Sequence, residues 1–153
     1  MRYFSRLEKR YIDYQTILFY NLIEGTNFQG GSNMGRFVIR YKDTGLDFEL
    51  QDNEGHPIAT SQTYASIVTC KRAIRSIKAC ASVAQIEYQD HICKHPKFEI
   101  YKNENGKYHF RLKAKNAQVI LLSFAYETYE ECEQTVLLVK QHIINAPMIE
   151  ENN

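Results

Sequence analysis

No Cys-x-x-Cys pair, no apolar run of membrane-spanning length and no excess of one charge occur in this sequence. Each absence removes a class of protein. The four cysteines, Cys70, Cys80, Cys93 and Cys132, have neither the spacing of a disulfide framework nor that of a zinc site. They read as free thiols of a cytoplasmic protein. The stretch Ile17-Leu18-Phe19-Tyr20-Asn21-Leu22-Ile23 is broken by Asn21 and falls well short of the ~18 apolar residues of a membrane span. No small-residue cleavage site follows it, so a signal peptide is not expected. A formal net charge of +1 provides no global field that would steer the chain to nucleic acid or to an anionic membrane.

Chemistry is equally sparse. There is no glycine-rich loop between a strand and a helix to cradle phosphate, and no paired carboxylates fall on facing elements. Nucleophile and base candidates such as Cys80 and His142 are scattered along the chain. His91, Cys93 and His95, with Asp90 beside them, crowd potential ligands onto one linker, but their spacing matches no zinc signature and reads as a polar connector. No catalytic residue, cofactor or metal is expected, and the chain reads as non-enzymatic.

What is present is a repeat. Phe48-Glu49-Leu50 recurs as Phe110-Arg111-Leu112, Ser61 and Tyr64 recur as Ser123 and Tyr126, Cys70 as Cys132, and Lys78 as Lys140, all 62 residues apart. The register is 61 before the first hairpin tip, which places a one-residue length change in a turn, where it costs least. With 44% hydrophobic and 24% charged residues, the composition is that of an ordinary globular chain.

Within each copy the hydrophobic period changes from two to near four. Phe37–Tyr41, Leu46–Leu50 and Ile58–Ser61 predict three strands, and Phe98–Tyr101, Lys107–Leu112 and Val119–Leu122 predict their counterparts. Asn105-Gly106 carries the signature of a type I′ hairpin turn. At the second hairpin tip Gly55 has Ala117 as its counterpart, so Asn116 is expected to take the left-handed conformation there. Ile67, Cys70, Ala73, Ile74, Ile77 and Ala81 then form one face of a helix capped by Ser66. Tyr129, Cys132, Val136, Val139 and Ile143 do the same after Thr128, with Glu131 completing a capping-box pattern. The first helix carries Lys71, Arg72, Arg75 and Lys78; the second carries Glu130, Glu131 and Glu133, with Glu127 just before it. These charges read as solvated faces, a partner-facing patch, or mutually attracting neighbours. Tyr64 and Tyr126 read as packing the helix entry onto the sheet, with a shared groove as the alternative.

Residues 1–34 stand outside the repeat. Phe4, Leu7, Tyr11, Tyr14, Leu18 and Leu22 mark a helical stripe, followed by the linker-like Gly30-Gly31-Ser32-Asn33.

The string Pro96-Lys97-Phe98-Glu99-Ile100-Tyr101-Lys102, then Asn105-Gly106-Lys107-Tyr108 and Phe110-Arg111-Leu112-Lys113-Ala114, resembles the YegP-like family, a bacterial and archaeal family of unknown function. The resemblance covers about residues 35–149 as two tandem copies. It implies an α+β fold of two β-β-β-α repeats with antiparallel strands, packed as one body of approximate two-fold symmetry, with the helical extension in front. It also marks Met34 as the expected natural start. The expected divisions are 1–34, 35–90 for repeat 1 and 91–153 for repeat 2. The expected function is a small protein-interaction or self-association module. The alternative is a weak single-stranded nucleic-acid binder using Lys102, Lys107, Arg111, Lys113 and Lys115, with Tyr101, Tyr108 and Phe110 between them.

Overall fold

The computed structural model describes residues 35–151. The stripe and linker expected in residues 1–34 lie outside the described residues. Repeat 1 runs β1 (Arg36–Lys42), β2 (Gly45–Gln51), β3 (Pro57–Thr60), α1 (Ile67–Val83) and β4 (Gln85–Glu87). Repeat 2 runs β5 (Lys97–Lys102), β6 (Tyr108–Lys113), β7 (Val119–Ser123), α2 (Tyr129–His142), a 3-10 turn (Ile143–Asn145) and β8 (Met148–Glu151). The fold is mixed α+β, built from two tandem repeats.

Among the described residues, eight strands join one sheet in the order β4-β5-β6-β7-β3-β2-β1-β8. Within each repeat the first three strands pair antiparallel. The strand after each helix does not return to its own repeat. β4 pairs in parallel with β5, and β8 pairs in parallel with β1. The repeats meet where β3 and β7 pair antiparallel, Ala59 opposite Ser123 and Thr60 opposite Leu122. Leu122 is the repeat counterpart of Thr60, so the joint is centred on a pair of equivalent positions.

Strand alternation builds the core. Phe37, Ile39, Phe48 and Leu50 of repeat 1, and Phe98, Phe110, Leu112 and Leu121 of repeat 2, are almost completely buried. Cys70, Ile74, Ile77 and Ala81 of α1 pack there with Cys132, Val136 and Val139 of α2. Each buried phenylalanine contributes roughly 1.5–3 kcal/mol. The four meet in pairs edge to face, Phe37 with Phe48 at 5.5 Å and Phe98 with Phe110 at 6.0 Å between centroids.

Both helix starts are capped by the expected side chain, but the reciprocal bond of a capping box forms only at the first, not at Thr128 and Glu131. Ser66 accepts from Thr69 N at 3.2 Å, and the Thr69 hydroxyl closes the box. Thr128 accepts from Glu131 N at 3.2 Å.

The length difference between copies falls in the first hairpin turn. Lys42 pairs with Gly45 across Asp43-Thr44, whereas Asn103 N donates to Lys107 O across three residues, Glu104, Asn105 and Gly106. That turn is not type I′, because only Gly106 has a positive φ, +78°. The Asn103 carboxamide instead accepts from Asn105 N at 2.9 Å and from Lys107 N at 3.0 Å. The carboxamide rather than an Asn105 backbone twist shapes the turn.

A second expectation also fails at a tip. Ala117, not Asn116, takes the left-handed conformation, with φ +67° against +86° at Gly55. Ala117 N donates to Ala114 O at 2.9 Å, just as Gly55 N donates to Asp52 O at 3.1 Å. The turn keeps its backbone path and the alanine bears the strain. Asn116 Oδ1 meanwhile accepts from Gln118 N at 3.1 Å, a role available to it at negative φ.

Candidate functional site

The β5–β6 hairpin carries most of the basic residues singled out in the sequence, and strand parity divides them. Glu99 stands opposite Arg111, Lys97 opposite Lys113 and Tyr101 opposite His109, so these side chains share the face away from the core. Arg111 donates to Glu99 at 2.5 Å, and Lys113 lies 3.0 Å from the same carboxylate. Lys97, almost fully buried, bridges Glu87 of β4 at 2.7 Å and Glu99 at 3.5 Å. Burial opposes ionisation of Glu99, but hydrogen bonds and charge from Lys113 and Arg111 outweigh it and hold its carboxyl at about 2.

The other three lie elsewhere. Lys102 has the opposite parity and sits over the Tyr108 ring, 5.8 Å from its centroid. Lys107 is paired with Glu127, in the approach to α2. Lys115 is exposed in the turn between β6 and β7. The structure therefore brings Arg111 and Lys113 together, around a carboxylate, and separates them from Lys102, Lys107 and Lys115.

Two aromatic rings complete this face. Tyr101 stacks on His109 at 5.6 Å, and the Arg111 guanidinium lies 4.9 Å from the Tyr101 centroid. His109 is fixed between Asn103 at 2.9 Å and Ser123 O at 3.0 Å. In repeat 1 the same face carries Arg40, held to Glu49 at 3.1 Å and to Glu151 of β8 at 3.0 Å. The carboxylates were the part that sequence reasoning missed. Their period-two placement was visible, but their partners depend on strand register and on the crossed pairing of β4 and β8.

At the centre of the sheet the charged face gives way to apolar groups. Leu122 lies opposite Thr60 and Arg111, on the face away from the core, and is 38% exposed, whereas its neighbour Leu121 is buried. Val119 and Phe124, on and just beyond the same strand, are 38% and 41% exposed.

A cleft of about 460 Å³ opens between the β2–β3 turn and α2, lined by Asp52, His56, Ile58, Tyr126, Thr135 and Leu138 among others. Asp52 accepts from Glu54 N and His56 N, both at 2.9 Å, and its other oxygen lies 3.2 Å from His56 Nδ1. Burial pushes the Tyr126 phenol up to about 12, which leaves it protonated and unfit as a base near neutrality.

The serines and tyrosines picked out by repetition make contacts that serve the fold. Ser61 Oγ accepts from Phe48 N at 3.0 Å, and Ser123 Oγ accepts from Phe110 N at 2.7 Å. Tyr64 exchanges backbone bonds with Leu46 and stacks on Phe48 at 6.0 Å; Tyr126 does the same with Tyr108 and Phe110, at 6.4 Å. On α1, Lys71 pairs with Glu150 of β8 at 2.5 Å rather than with the acidic groups of α2. Among the described residues, no three His, Cys, Asp or Glu side chains are grouped to hold a metal ion. Burial pushes the Cys132 thiol up to about 12 and also raises that of Cys70, which makes both poor nucleophiles.

With this geometry established, the relationships of the chain are clear. The domain of unknown function DUF1508 matches residues 42–87 and again residues 103–150. The chain belongs to this family and carries two copies of its domain. A UPF0339 protein of Methanosarcina acetivorans is 45% identical over 53 residues, 35% of this chain and 91% of that protein, which is therefore little longer than one repeat. UPF0339 protein YegP of Escherichia coli K12 is 29% identical over 103 residues, covering 67% of this chain and 84% of that protein. The solution structure of E. coli yegP, a protein of unknown function, aligns with a TM-score of 0.63 at 25% identity, over 78% of this chain and 97% of that one. A UPF0339 protein from Shewanella oneidensis shares the fold with a TM-score of 0.64 at 19% identity, over 76% of this chain and 91% of that one. Among the described residues no helix is long and apolar enough to cross a membrane.

Proposed function

We propose that this chain is a non-enzymatic interaction module that meets a protein partner, or a second copy of itself, through the sheet face turned away from the helices. The observation that carries this reading is the half-exposed strip of Val119, Leu122 and Phe124 at the centre of that face, flanked by charges already paired within the chain. Apolar groups held open in a surround of satisfied charges favour contact with another protein surface over a small polar ligand. The two repeats, divided near residues 35–90 and 91–153, act as one unit with approximate two-fold symmetry about the Thr60–Leu122 pair. The strand order and the crossed pairing of β4 and β8 support that symmetry. The free cysteines favour the cytoplasm as the site of action. Sedimentation over a range of concentrations tests the self-association form. A dimer that Leu122→Lys abolishes without unfolding the chain is expected. A monomer at all concentrations whose binding to a cross-linked cellular partner is indifferent to Leu122→Lys would sink the reading.

The nucleic-acid reading retains one favourable observation, the stack of His109, Tyr101 and Arg111 beside Lys113. Glu99, held ionised among these cations, works against it. Titration with single-stranded RNA at two salt concentrations separates the readings: affinity that falls steeply with salt and is lost in Arg111→Ala favours nucleic acid.

A further inference from the structure

Asparagine and glycine stand next to each other once in this chain, at Asn105-Gly106 in the exposed tip of the β5–β6 hairpin. Glycine lacks the side chain that normally keeps the following backbone nitrogen away from the asparagine carboxamide carbon, and Gly106, at φ +78°, has only Lys102 Cε within reach of a Cβ position, at 3.7 Å. The other turn asparagines are occupied. The Asn103 oxygen accepts from Asn105 N and Lys107 N, the Asn116 oxygen accepts from Gln118 N, and the Asn53 oxygen accepts from Gly35 N at 3.1 Å. Asn116 is also followed by the methyl-bearing Ala117. The Asn105 carboxamide is exposed and has no partner of this kind.

We infer that Asn105 is a site of spontaneous, charge-changing modification in the folded protein. The Gly106 backbone nitrogen attacks Asn105 Cγ and forms a C–N bond. The Cγ–Nδ2 bond breaks, and the departing amide nitrogen takes up the proton lost from Gly106 and leaves as ammonia. Water then opens the resulting five-membered imide at either carbonyl, giving aspartate or isoaspartate at position 105. No oxidant or enzyme is needed. The brake is the hydrogen bond from Gly106 N to Asn103 O, 3.1 Å long, which must open before the nitrogen can attack. The product places a carboxylate between Lys102 and Lys107, and the isoaspartate form lengthens the main chain by one methylene inside the turn that Asn103 holds. The basic hairpin thus loses net positive charge as the protein ages. This inference does not depend on the interaction reading above.

The full chain is incubated at mildly alkaline pH and physiological temperature, sampled over days to weeks, and read by peptide mapping that resolves aspartate from isoaspartate and by native isoelectric focusing. Asn105 is expected to convert clearly faster than Asn116, whose successor carries a methyl group, and the more acidic band is expected to be absent in Asn105→Gln. Asn103→Ala, which loosens the turn, is expected to convert several-fold faster while keeping the wild-type circular dichroism spectrum. Conversion of Asn116 as fast as Asn105, or an Asn105 that stays intact while the chain is folded, would overturn the inference.

Discussion

The ammonium of Lys78 donates to the carbonyl oxygen of Ala146 at 2.6 Å, and Lys140, its counterpart, donates to the carbonyl oxygen of Ala84. Ala84 and Ala146 are themselves repeat equivalents, each at the exit from its repeat's helical segment. Each lysine therefore ties down the segment that leads the other repeat's strand into the crossed pairing. Burial holds both ammonium groups below the ordinary lysine value, so they do this work despite the cost of desolvation.

Replacing either lysine by methionine keeps the aliphatic stem and leaves a buried carbonyl without its donor. A loss of about 1–3 kcal/mol is expected for each, measured by urea denaturation. The double variant is expected to loosen β4 and β8 together, read as faster amide exchange at Ile86 and Ile149 than in the core strands. Unchanged exchange at both sites would show that the lysines do not hold these strands.

Ser123→Ala removes the acceptor for the buried Phe110 N, at 2.7 Å, and should cost about 1–3 kcal/mol. Ser61→Ala removes the equivalent bond in a part-buried setting, where water offers a substitute, and should cost less. Equal losses in the two thermal melts would contradict this ordering.

Ala117→Gly relieves the left-handed strain that Gly55 avoids in the first repeat. Because glycine also frees the unfolded chain, the net gain is modest, about 0.5–1 kcal/mol. A rise in the denaturation midpoint at constant slope is the expected result, and a fall would refute the strain.

Glu99 makes stability depend on pH. Its folded value of about 2 lies below the unfolded 4.5, so its contribution is fully present above pH 4.5 and is lost as pH falls toward 2. After allowance for solvent screening of Arg111 and Lys113, the loss is about 1–2 kcal/mol. Glu99→Gln should lower stability at neutral pH and flatten this acid limb. An acid limb unchanged in the variant would assign it to other carboxylates.

Local features were legible in the sequence because local chemistry decides them. The period of Phe48 and Leu50, the Ser66 cap and the apolar face of Cys70, Ile74 and Ile77 all depend on neighbours a few residues away. Two turn expectations failed for an equally local reason. At Asn105-Gly106 and Asn116-Ala117, side-chain hydrogen bonds of Asn103 and Asn116 displaced simple backbone preference. The candidate surface was half legible. Lys113 and Arg111 were visible as cations, but nothing in their own segment revealed that both would pair with Glu99, or that Lys97 would reach Glu87. Likewise β4 and β8 were not among the strands expected from periodicity, because each is short and finds its partner in the other repeat.

The crossed pairing has a consequence for how the chain acquires its structure. Arg40 in β1 bonds to Glu151 in β8, 111 residues later. During synthesis the outer edge of β1 therefore waits for a strand made long after its own hairpin is complete. Closing so long a loop is entropically slow, and in the interval β1 presents unpaired backbone groups to any other nascent chain. Chaperone dependence and refolding yield should thus be governed by the last strand to arrive rather than by either repeat alone.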